Sequence, residues 1–135
     1  MTAPVAEPVP FQYVVVRVVP RVERGEQFNA GVVLFCPKLD FLAARVELDP
    51  VRLDALAPGA EAADVRRHLD AVAAVAAGDS GAGPVARLER SARFHWLASP
   101  SSTIIQPSPI HTGLCPDPAA ALDRLFAELV APVRG

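Results

Sequence analysis

Lysine is almost missing from this chain of 135 residues: Lys38 is the only one, and the rest of the 13 basic side chains are arginines. Methionine, tryptophan and tyrosine occur once each, and cysteine twice. Each shortage excludes something. Two cysteines are too few for a disulfide-dense scaffold, and Cys36 and Cys115 fit no metal-ligand spacing. They read as small apolar thiols of a reducing compartment. Long hydrophobic runs are also lacking. Val32–Cys36 and Ala71–Ala77 fall far short of a membrane span. No basic stretch followed by an apolar one opens the chain, so no signal peptide is expected and a cytoplasmic location is. Net charge is only −2, which gives no global attraction to nucleic acid or anionic lipid. Neither a nucleic acid nor a membrane is therefore expected as a partner.

What the chain does have is apolar surface. Hydrophobic residues make up 51%, too many for a disordered protein. Fourteen prolines and eight glycines stay below the share found in low-complexity chains. At this length one domain is the natural count, with a sizeable core and no need of metals or disulfides. Residues 1–10 carry three prolines and no periodicity, and read as a flexible tail before a single domain at 11–132.

The run Phe11–Val19 is rich in β-branched residues and predicts a central strand. A polar turn leads to a second strand over Glu26–Cys36, and Pro37–Asp40 connects it to a third over Phe41–Leu48. Pairing Val19 with Glu26 and Phe35 with Leu42 puts Val14, Val16, Val18, Val33, Phe35, Leu42, Ala44, Val46 and Leu48 on one face. Asn29 and Gly31 fall on that face too, subject to register. The period then changes. Asp49–Pro50 opens a short helical turn, Glu61–Ala77 is an amphipathic helix, and Arg87–Leu97 is read as a short helix. Thr103–Gln106 is a short strand. Asp117 caps a last helix whose apolar face is Leu122, Leu125, Phe126, Leu129 and Val130. The expected fold class is α+β: an antiparallel or mixed sheet of about four strands, with two main helices and shorter helical turns packed on it.

Three segments carry the polar chemistry. Arg24–Gly31 holds Arg24, Glu26 and Asn29 around a turn; it reads as a small polar pocket or as a capped turn. Ser101–Gly113 gathers hydroxyls, Gln106 and His111 between Pro107 and Pro109, which stiffen the backbone and can hold polar groups at little entropic cost. Arg93–Leu97 interleaves arginine with aromatics, although a single tryptophan is more often a core residue. His68 lies one turn from Asp64, as in a surface pair. His68, His95 and His111 share no local ligand spacing, so no metal and no cofactor is expected.

Together the blocks resemble a known family. Tyr13-Val14-Val15-Val16-Arg17-Val18-Val19-Pro20, then Arg24-Gly25-Glu26, Asn29 and Gly31-Val32-Val33-Leu34, look like the start of the bacterial domain of unknown function 3037 family. Arg93-Phe94, Trp96-Leu97, Ser102-Thr103-Ile104-Ile105-Gln106, His111-Thr112-Gly113-Leu114 and Asp117-Pro118 with Leu122 and Leu125-Phe126 resemble its later blocks. The resemblance implies no activity. It brings in proteins similar to HipA-type kinases as candidate partners, since members are often encoded beside them. The resulting expectation is a domain that binds a protein partner or small ligand and does no chemistry, through Arg17, Arg24, Glu26, Asn29, Gln106, His111 and Thr112. The alternative is a hydrolase or transferase acting on a phosphorylated or nucleotide-like substrate. In that case Glu26 or His111 serves as acid or base, and Arg17 and Arg24 hold the anion. It requires those residues to converge on one site.

Overall fold

β-branched runs without polar interruption need cover on both faces of a sheet, and the fold supplies it. The structure, a computed structural model, describes residues 7–132. Five strands, all paired antiparallel, form the sheet: β1 (Val9–Val18), β2 (Phe28–Cys36), β3 (Phe41–Val46), β4 (Ile105–Pro107) and β5 (His111–Cys115). The order is β3-β2-β1-β4, with β5 beside β4 along the same edge of β1. β1 is thus central, as its composition predicts. Of the expected tail, residues 1–6 lie outside the described residues, whereas Val9 and Pro10 already belong to β1.

Four helices cover the sheet. α1 (Pro50–Leu56), α2 (Ala62–Ala77) and α3 (Arg90–Ala98) pack on one face through Leu53, Val65, Leu69, Phe94 and Leu97 against Val14, Val16, Val18, Val33 and Phe35. α4 (Pro118–Leu129) packs on the other, burying Ala121, Leu122, Leu125 and Phe126 against Phe11, Val32, Leu34 and Cys36. Asp49 and Asp117 cap α1 and α4, each accepting from two backbone N–H groups with a proline in the first turn, as their sequence patterns predict. Gly78 ends α2 at a φ of 72°.

The register explains which side-chain expectations hold. Phe35 pairs with Leu42, as expected. β1 and β2 pair Val14 with Val33, a shift of two residues from the expected hairpin, and a two-residue shift keeps every side chain on its face. Val16 then pairs with Gly31 but Arg17 with Asn29, so Ala30 is an extra residue. This bulge turns Asn29 to the face of α4, opposite to its expected place. Gly31 stays opposite Val16, and the close approach of Val46 and the Arg45 carbonyl leaves no room for a Cβ there.

Two further expectations change. Trp96 is 54% exposed rather than core, because α3 buries Phe94 and Leu97 instead. His68 does not pair with the Asp64 carboxylate, which Arg67 holds; its Nδ1 bonds the Asp64 carbonyl at 2.8 Å.

Candidate functional site

α4 lies over β2 and β3, and its cluster reaches Cys115 at the end of β5; β4 and the His111 end of β5 on the same sheet face lie outside that cluster. Across that open face three candidate residues stand in one row. Asn29 on β2, Arg17 on β1 and Gln106 on β4 are direct cross-strand partners. All three are half-buried. Each amide has one N–H fixed by backbone: Asn29 Nδ2 donates to the Leu129 carbonyl at 2.9 Å, and Gln106 Nε2 to the Thr103 carbonyl at 2.9 Å. Their planes are thereby set, while their carbonyl oxygens remain available. Among the described residues Arg17 makes no ion pair, although four other arginines do. The contrast is Arg45, on the covered half of this face, which bonds Asp123 at 3.1 Å and lies 4.2 Å over the Phe126 ring.

Further along β1 the open face carries Tyr13, paired with His111 of β5. The rings stack with centroids 5.1 Å apart. Tyr13 and Arg17 alternate on this side of the strand with Val15 between them, so the aromatic pair and the guanidinium share one surface. The join between β4 and β5 is made by Ser108, which is 2% exposed. It accepts from Val15 N at 2.8 Å through Oγ and donates its own N–H to Val15 O at 2.8 Å.

The remaining candidates lie elsewhere. Thr112 pairs with Gln12 and so occupies the opposite face from His111. Arg24 and Glu26 sit in the exposed β1–β2 turn and form an ion pair with each other. The hydrogen bond that Arg24 donates to Glu26, and then the Glu26 charge, hold the guanidinium further into its charged range. That turn leaves the sheet at the Val18–Phe28 level, five residues along β1 from the Tyr13–His111 level. Five residues of strand span about 16 Å. Glu26 and His111 therefore do not converge on one acid–base site, and the requirement set for the enzymatic alternative is not met.

Cys36 and Cys115 are both buried and free. They flank β1 on β2 and β5, and their side chains lie beside one another in the cluster that α4 covers. Burial pushes the Cys115 thiol up, and the neighbouring Cys36 adds to it. Both pack as free thiols in this state. Among the described residues no group of three His, Cys, Asp or Glu side chains is placed to hold a metal, and no helix is long and apolar enough to cross a membrane.

One feature escaped the sequence reading. A cavity of about 510 Å³ opens on the other side of the sheet, between α2, α3 and the segment leading into β4. It is lined by Val16, Val72, Val75, Leu97 and Ile105, with Trp96 and His68 also in its wall, and by none of the seven candidates. Ser101, Thr103 and Pro107 of the polar segment do line it. The exposed Trp96 was the available signal, but exposure is not readable from a sequence.

In comparison with known proteins, a family model described as a protein of unknown function, DUF3037, matches residues 13–130. No curated protein and no solved structure matches the chain.

Proposed function

The chain belongs to the DUF3037 family, whose function is unknown, and from that premise we propose that it is a non-catalytic binding domain whose recognition surface is the open sheet face around Arg17. One observation carries this reading: a half-buried guanidinium, flanked by two oriented amides, without a counter-charge among the described residues. A guanidinium in such a place binds a carboxylate or phosphate with charge-assisted, bidentate hydrogen bonds. The stacked Tyr13–His111 pair extends the surface with a flat, partly apolar area of the kind that anchors a partner. The occupant is an anionic group on a partner protein or small ligand. Proteins similar to HipA-type kinases, brought in by the family resemblance, are the candidate protein partners. Affinity capture with wild type and Arg17→Gln side by side tests the reading. A partner retained by wild type and lost from Arg17→Gln supports it; equal capture by both contradicts it.

A further inference from the structure

The cavity beside Trp96 lies on the opposite face of the sheet from Arg17 and raises a separate question. Its volume, about 510 Å³, is that of a small-molecule site. Its floor is apolar: Val16, Val72, Val75, Leu97 and Ile105. Trp96 presents a flat ring at the lip. No arginine, lysine, aspartate or glutamate lines it.

The polar groups of the rim have an unusual property in common. Each hydroxyl has already committed its hydrogen. Ser99 Oγ donates to the His95 carbonyl at 2.8 Å. Thr103 Oγ1 donates to the Ile105 carbonyl at 2.8 Å, so in the 3.0 Å contact between Ser101 Oγ and Thr103 Oγ1 the serine is the donor. His68 Nδ1 faces a carbonyl, which only accepts, so Nδ1 carries the ring hydrogen of the neutral imidazole and Nε2 is left as an acceptor. What these hydroxyls and His68 Nε2 offer an occupant is lone pairs; the one side-chain donor in the lining is the Trp96 indole N–H.

We propose that this cavity is a binding site for a small, uncharged, flat molecule that carries hydrogen-bond donors, with its apolar body against Trp96 and its N–H groups toward Thr103, Ser101 and His68. An anion finds no arginine or lysine there and a single side-chain donor, the Trp96 indole N–H. A full cation finds no carboxylate to offset its desolvation. A purely apolar group gives these lone pairs no replacement for the water it displaces.

Three benzoyl probes of similar shape separate these cases: benzamide, methyl benzoate and benzoate. Trp96 is the only tryptophan, so its indole N–H gives a single side-chain resonance that reads occupancy directly. Benzamide is expected to shift that resonance saturably, methyl benzoate to bind about tenfold more weakly, as the loss of one hydrogen bond implies, and benzoate not to bind. Ala71→Phe fills the cavity from an exposed position on α2, so it preserves the fold and is expected to abolish benzamide binding. Thr103→Val is expected to weaken benzamide but not methyl benzoate, and Arg17→Gln to change neither. Equal binding of benzamide and methyl benzoate overturns the proposal, because the groove is then a seat for any apolar group, such as a side chain of a partner protein. Preference for benzoate, unchanged binding in Ala71→Phe, or no saturable shift with any probe overturns it too.

Discussion

Ser108 stands between Pro107 and Pro109, at the point where one edge of β1 passes from β4 to β5. Proline has no N–H to offer a ladder. The serine therefore supplies both halves of the pairing with Val15, the acceptor from its side chain and the donor from its backbone, and its hydroxyl donates to the Pro109 carbonyl at 2.8 Å. Ser108→Ala removes the acceptor of the Val15 N–H. Urea unfolding is expected to register a loss of about 1–3 kcal/mol, the cost of leaving a buried donor unpaired. The sequence marks this stretch as a rigid, hydrogen-bonded connection. It does not reveal the partner, which lies 93 residues away. Asn29 illustrates the same limit: its alternation with Gly31 and Val33 is legible, but the bulge at Ala30 that reverses its face depends on where β1 and β2 lock together.

At the scale of elements, the signals that lie within one segment were readable. Asp117–Pro118 announces α4 because cap and first turn are local chemistry, and the same holds for Asp49–Pro50 at α1. β5 was not readable. His111–Cys115 has a glycine at its centre and three exposed side chains, and Phe11 of β1 packs across Gly113, where a Cβ would strike the ring. The two ends of α4 also have different roles. Its N-terminus is held by its own cap, whereas the Leu129 and Val130 carbonyls near its C-terminus accept from Asn29 and Arg52. Asp117→Ala is expected to cost about 1 kcal/mol in chemical denaturation. It lies at the far end of α4 from the Arg17 row, so it is expected to leave binding at that row unchanged.

On the scale of the whole molecule, the sheet separates two surfaces. The α1–α3 side is covered by helices and carries the cavity beside Trp96; the α4 side is half closed, and its open half carries the Asn29–Arg17–Gln106 row and the Tyr13–His111 stack. The α+β class and the buried residues of β1–β3 follow from the period of the sequence. The location of both surfaces does not, because it is fixed by how far α4 and α3 extend over the sheet. The central claim is that Arg17 holds an anionic group. Its most direct test is a titration of inorganic phosphate, and separately glutarate, at constant ionic strength, read from the side-chain N–H resonances of Arg17, Asn29 and Gln106. Wild type is expected to show saturable shifts of all three, and Arg17→Gln to bind about tenfold or more weakly, as loss of a charge-assisted hydrogen bond implies. Shifts confined to the Arg24 turn, or an affinity unchanged in Arg17→Gln, contradict the account.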